Sequence, residues 1–144
     1  MGDGRHSLSF GVLRQANLAR QSLLPNANGE THHSGTDWTI NDWMTALVGE
    51  VGEAANLCKK LRRHDFTLDA GRPRIAQELA DVAIYLDLLA NACGIDLGDA
   101  IRDTWNAKSQ ALGVPIHLDN DGWYHTDDGI NVPTGHSPVH PITK

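Results

Sequence analysis

The chain has 144 residues, enough for one domain with a real core. Its formal net charge is −6, from Lys+Arg 12 against Asp+Glu 18, which argues against a general nucleic-acid binder. Two cysteines, Cys58 and Cys93, are too few for a disulfide framework and read as small core residues in a reduced compartment.

No apolar run approaches the roughly 20 residues of a membrane span. The N-terminus lacks a signal-peptide pattern, and His6 breaks the myristoylation motif that Met1-Gly2 would begin. These features describe a soluble cytoplasmic protein with neither membrane nor nucleic acid as partner.

Apolar residues at helical spacing (Leu8, Val12, Leu13, Ala16, Ala19) predict a first helix from about Ser7 to Leu24. Pro25 and the polar stretch to Gly35 break it, and His32 and His33 read as loop surface. A second helix starts near Thr39, which can cap it, with Asp42 in the first turn, and runs to about Arg63. Trp43, Leu47, Val51, Ala54, Cys58 and Leu61 make its core stripe, with Glu50, Glu53, Leu57 and Lys60 alongside. The connector from His64 to Gly71 ends in a turn, and Pro73 opens a third helix. There Ile75, Leu79, Val82, Leu86 and Leu89 form the core stripe, and Arg74, Glu78, Asp81 and Tyr85 the adjacent face. Gly94 stops that helix; Asp96 caps a fourth, Leu97 to Leu112, which Gly113 and Pro115 end. Residues 114–144 lose helical period, with a possible hairpin between Ile116-His117-Leu118 and Trp123-Tyr124-His125 and then an extended arm. The expected architecture is all-α: a four-helix bundle over 1–113 and an irregular C-terminal extension over 114–144.

The chemistry lies in two acidic motifs, Glu50-Val-Gly-Glu53 and Glu78-Leu-Ala-Asp81. Residues three apart share a helical face. If the two helices pack side by side, four carboxylates converge, a hard-oxygen set that suits Mg²⁺ and hence a phosphate substrate. Singly, each motif is more often a solvated face. Here the acids sit among Val48, Val51, Ala54, Leu79, Val82 and Ala83, unlike a solvent face. Gly49 and Gly52 each cost roughly 1 kcal/mol inside a helix, so a close approach of backbone or ligand is expected there. Clustered carboxylates also repel: two unit charges about 6 Å apart at an effective dielectric near 20 oppose each other by roughly 3 kcal/mol. Divalent cations relieve that repulsion.

Lys59, Lys60, Arg62 and Arg63 close the second helix, either as partners of the helix dipole or as counter-charges for a bound polyphosphate. Lys60 follows Glu53 by seven residues and keeps its face. The eight histidines show no zinc-ligand spacing, and none follows Glu50 or Glu78 at the +3 position of di-iron bundles. Walker, GxSxG and Rossmann patterns are absent.

Glu-x-x-Glu, 24 intervening residues, then Glu-x-x-Asp resembles the signature of the MazG-like all-α nucleoside triphosphate pyrophosphohydrolases. The resemblance extends to Ala46–Lys60, Glu78–Leu86, the turn Gly94-Ile95-Asp96-Leu97 and the segment Trp105-Asn106-Ala107-Lys108-Ser109, covering about residues 8–118. It implies hydrolysis between the α- and β-phosphates of a (d)NTP, giving a nucleoside monophosphate and pyrophosphate, in a dimer or dimer of dimers. The phage MazZ-like branch of the family makes dGTP the lead substrate. On this reading Glu50, Glu53, Glu78 and Asp81 hold two or more Mg²⁺, with Mn²⁺ able to substitute. Glu50, Glu53 and Lys60 are the catalytic residues, Glu50 orienting the attacking water. Lys59, Lys60, Arg63 and Lys108 meet the phosphates. Asn17, Arg20, Trp43, Tyr85 and Asn106 face the nucleoside, although Trp43 also suits the core. The rival is a non-catalytic helical interaction module with the same fold.

Overall fold

The computed structural model describes residues 8–23, 38–120 and 124–126. Among them lie four helices, α1 (Phe10–Leu23), α2 (Ile40–Arg62), α3 (Leu68–Ala92) and α4 (Leu97–Leu112), and two short strands, β1 (Ile116–Leu118) and β2 (Tyr124–Thr126). The fold is all-α, as the sequence predicts. The chain divides into two compact units, Met1–Ile101 and Arg102–Lys144. No helix among the described residues is long and apolar enough to cross a membrane.

In the first unit, α2 begins with a reciprocal capping box. Thr39 accepts from the Asp42 backbone N–H at 3.3 Å, and the Asp42 carboxylate accepts from the Thr39 N–H at 2.7 Å. Trp38, just before the cap, packs on Trp43 with ring centroids 4.5 Å apart, a hydrophobic staple. The helix ends with His64 in the left-handed region (φ 63°), where the Asp65 N–H reaches back to the Lys60 carbonyl at 3.1 Å.

Thr67 caps α3, so this helix opens at Leu68, earlier than expected. Pro73 therefore stands inside α3 rather than at its start, where its missing N–H leaves the Asp69 carbonyl without its intrahelical partner. Gly71 is likewise helical and not in a turn. It is buried against the Phe66 ring, with which a Cβ at this position would collide.

Trp43, near the start of α2, packs on Leu88 and Leu89, near the end of α3, so the two helices form an antiparallel hairpin. The seam uses positions 43, 47, 50, 54, 57 and 61 of α2 and 71, 75, 78, 82, 85 and 89 of α3, all buried or half-buried. Steps of four and three residues alternate, as in coiled-coil packing. This corrects the expected stripes. Leu57 is core, whereas Val51 (48 % exposed), Leu79 (58 %), Leu86 and Cys58 face outward. Cys93, also expected in the core, is exposed as well. The expected stripes and the seam share Trp43, Leu47, Ala54, Leu61, Ile75, Val82 and Leu89, and they differ where the seam takes 50, 57, 78 and 85 in place of 51, 58, 79 and 86. Glu50 and Glu78 consequently stand in the seam itself.

The expected close approach at Gly49 and Gly52 does not come from this chain: a Cβ at either position would meet nothing within 4 Å. Helix α1 lies against α3 through Arg14, whose guanidinium donates to the Asp87 carboxylate, the Asp87 and Ile95 carbonyls and the Asn91 side chain. Gly94 (φ 69°) ends α3, and the Asp96 carboxylate caps α4 by accepting from the Asp99 N–H at 2.9 Å.

In the second unit, β1 and β2 pair antiparallel with His117 opposite His125. The Asn106 side chain fixes the hairpin, donating to the Leu118 carbonyl and accepting from its N–H, each at 2.8 Å. Trp123, the arm beyond residue 126 and the loop carrying His32 and His33 lie outside the described residues.

Candidate functional site

Three of the four predicted carboxylates converge. Glu50 from α2 and Glu78 and Asp81 from α3 each bring an oxygen within 4.8 Å of the other two. The hairpin explains this: Glu50 and Glu78 are seam positions, and Asp81 lies one turn beyond Glu78. Burial raises the Glu50 pKa above its ordinary value, and the neighbouring charges of Asp81, Glu53 and Glu78 push it further in the same direction. Glu53 is exposed and outside the group of three, although close enough for its charge to act on Glu50.

The donor set fits a divalent cation. Oxygens bound to one Mg²⁺ at about 2.1 Å lie roughly 3–4 Å apart, within reach of small side-chain movements here.

Beside this centre, between α1 and the hairpin, opens a cavity of about 300 Å³. Trp38, Trp43 and Tyr85 give it aromatic walls, and Ile84 and Leu88 an aliphatic floor. Asn17, Arg20 and Gln21 supply polar groups from α1, and Asp81 belongs to both the cavity and the carboxylate group. Burial pushes the Tyr85 phenol above its usual value, as do Glu50 and Asp81, with Arg20 opposing. Tyr85 therefore stays protonated at neutral pH and can donate a hydrogen bond.

Of the residues expected to face a nucleoside, Asn17, Arg20, Trp43 and Tyr85 all line this cavity. Trp43 is at once core and wall. Asn106 belongs to the second unit, where its amide is engaged by Leu118. Lys60 is half-buried at the end of α2 and Lys59 exposed. Arg63 pairs with Asp65 at 2.6 Å, and Lys108 is exposed on α4. Sequence reasoning missed Trp38, Gln21 and Asp87. The signals were present: Trp38 and Trp43 flank the capping box at staple positions, and Asp87 interrupts an apolar run.

These features define an all-α protein with a group of carboxylates able to hold a divalent cation beside an aromatic cavity. Comparison with known proteins narrows the class. No family profile matches the chain. Over 79 residues it is 37 % identical to dCTP pyrophosphatase 1 of Rattus norvegicus and of Mus musculus, and 35 % identical to that of Bos taurus. The match covers 52 % of this chain and 45–46 % of the relatives, so the chain spans about half the length of the curated relatives it matches. The chain thus resembles the MazG-like all-α nucleoside triphosphate pyrophosphohydrolases, the family of these dCTP pyrophosphatases.

Proposed function

We propose that this chain is a divalent-cation-dependent nucleoside triphosphate pyrophosphohydrolase that cleaves a (d)NTP between the α- and β-phosphates. The observation that carries the reading is the double membership of Asp81. A nucleoside seated against Trp38, Trp43 and Tyr85 would bring its α-phosphate to the carboxylate group. Glu50, Glu78 and Asp81, joined by Glu53, would hold Mg²⁺ or Mn²⁺, two or more ions per site. Such ions supply charge neutralisation and Lewis-acid polarisation of the phosphoryl oxygens.

The chain's own residues do the rest. Glu50 orients the attacking water and takes its proton. The water oxygen bonds to the α-phosphorus, the bond from that phosphorus to the bridging oxygen breaks, and pyrophosphate leaves. Lys60 lies two turns, about 10 Å, beyond Glu53, where its side chain can reach the β- and γ-phosphates. Lys59, Arg63 and Arg74, one turn before Glu78, add positive charge for the same groups. The aromatic walls stack the base, and Asn17 and Arg20 meet its polar edge.

For the base, resemblance to the MazZ-like branch favours dGTP, whereas the names of the matched relatives favour dCTP. The protein works as a homo-oligomer, either a dimer or a dimer of dimers. A panel of the eight common (d)NTPs, with products separated, tests the reading. Wild type should release pyrophosphate and a nucleoside monophosphate only with Mg²⁺ or Mn²⁺. A Glu78→Gln, Asp81→Asn variant should lose activity by about a hundredfold or more, the scale of removing preorganised electrostatic groups. Full activity of that variant, or β–γ cleavage by wild type, would sink the proposal. No turnover of any nucleotide would leave the non-catalytic module.

A further inference from the structure

One buried carboxylate stands outside the candidate metal centre, behind the cavity. Asp87 is 1 % exposed and paired with Arg14 at 2.9 Å. We propose that Asp87 is a positioning residue that sets the hydrogen-bond polarity of the nucleoside cavity through Asn17. The inference rests on the cavity being the nucleoside site.

An ionised carboxylate can only accept hydrogen bonds. Asp87 Oδ2 lies 2.8 Å from Asn17 Nδ2, so the nitrogen of that amide must face Asp87. The amide oxygen is thereby turned away from Asp87 and accepts from Arg20 Nη2 at 3.3 Å. Asn17 is 3 % exposed and has no room to reorient into water. Arg14 cannot turn away either, because its other donors are engaged by the carbonyls of Asp87 and Ile95 and by Asn91. Donors and acceptors therefore alternate along Arg14, Asp87, Asn17 and Arg20, from the α1–α3 contact to the cavity wall. The cavity is offered an acceptor on Asn17 beside donors on Arg20, complementary to a base edge with donor beside acceptor. A reversed amide would set donor against donor and release Arg20.

The test is a reciprocal exchange. In Asp87→Asn, Arg14 still donates to the remaining oxygen at position 87. The new NH₂ then faces Asn17 and forces its amide to reverse. Adding Asn17→Asp restores an acceptor that serves both position 87 and Arg20. Asp87→Asn should raise KM for nucleoside triphosphates about tenfold or more, with kcat within about threefold, since only ground-state contacts to the base are lost. The double exchange should return KM to within about threefold of wild type. Asn17→Ala, which leaves the Arg14–Asp87 pair intact, should raise KM as Asp87→Asn does. Thermal melts check that each protein is folded. If Asp87 merely held α1 to α3, the double exchange would be no better than the single variant, and Asn17→Ala would leave KM unchanged. Either result overturns the inference while leaving the hydrolase reading in place. If wild type hydrolyses no nucleotide, the hydrolase reading fails by itself. Quenching of Trp38 and Trp43 fluorescence by an α,β-methylene nucleotide then carries the comparison, and equal quenching in wild type and all three variants overturns the inference.

Discussion

Glu50 shows how a side chain can be unfavourable for the fold and still belong at its position. It occupies a seam position where a leucine would pack better, and its pKa is raised by burial and by three neighbouring acids. Between the ordinary glutamate value and the raised one, the folded, metal-free protein keeps on Glu50 a proton that the unfolded chain has released. Stability therefore falls as pH rises from the ordinary glutamate value, about 4.3, through the raised one. At neutral pH the ionised Glu50 is a net burden, so Glu50→Gln should melt above wild type in EDTA. The gap should close below about pH 4, where both side chains are neutral. With Mn²⁺ the order should reverse, because wild type gains stability from binding and the variant loses a ligand. Melting curves at pH 4 and 7, with and without Mn²⁺, check this; a variant that melts below wild type in EDTA at pH 7 contradicts it. The two motifs were legible in the sequence because i, i+3 spacing determines a face. Which three acids meet was not, since that depends on the rotation of α2 against α3, and Glu53 falls outside the group of three.

At the scale of elements, the start of α2 does two jobs. The capping box closes the helix, and the staple it anchors brings Trp38 onto Trp43, making one wall of the cavity. Thr39→Ala should destabilise the protein by about 1 kcal/mol, the usual loss for an N-cap, measured by urea denaturation. It should also weaken nucleotide binding by loosening Trp38, although Thr39 touches no part of the cavity. The stability penalty should narrow in acid. Hydrogen bonds from the Thr39 hydroxyl and N–H hold the Asp42 carboxyl below its ordinary value. That contribution is present above the ordinary pKa and disappears as pH falls through the lowered one. A penalty that stays constant from pH 7 to pH 2 would show that the box contributes nothing through Asp42. The ends of α2 and α4 were readable because caps and stop signals are local chemistry. The start of α3 was misread because Pro73 suits a first turn so well that it masks the true cap at Thr67. The stripes were misread where the seam takes 50, 57, 78 and 85 in place of 51, 58, 79 and 86, because only packing selects between adjacent positions.

Over the whole molecule, the apolar stripe that the seam does not use is the surface on which a partner would pack. Met44, Val48 and Val51 on α2 and Leu79 and Leu86 on α3 all face outward, with Val48 60 % exposed. Scattered exposed leucines and valines are ordinary; a stripe at helical spacing along two packed helices is not. Gly52, one turn from Val48, adjoins the same face, and a Cβ there would meet nothing within 4 Å. Helix interiors bear glycine at a cost of roughly 1 kcal/mol each, and a second helix laid close against the stripe would account for that cost. A second copy of this chain is the occupant that needs nothing outside the sequence, because an isologous interface brings the same stripe from both sides. Wild type should therefore sediment as a dimer or tetramer at micromolar concentration. Val48→Arg, which places a charge in the middle of the stripe, should shift it to monomer with helicity retained, since no core contact is removed. Wild type that sediments as a monomer would remove this account of the stripe. A variant that stays oligomeric would place the interface elsewhere. Activity measured on the monomeric variant then says whether one protomer's Glu50, Glu78 and Asp81 suffice, or whether the site is complete only across the pair.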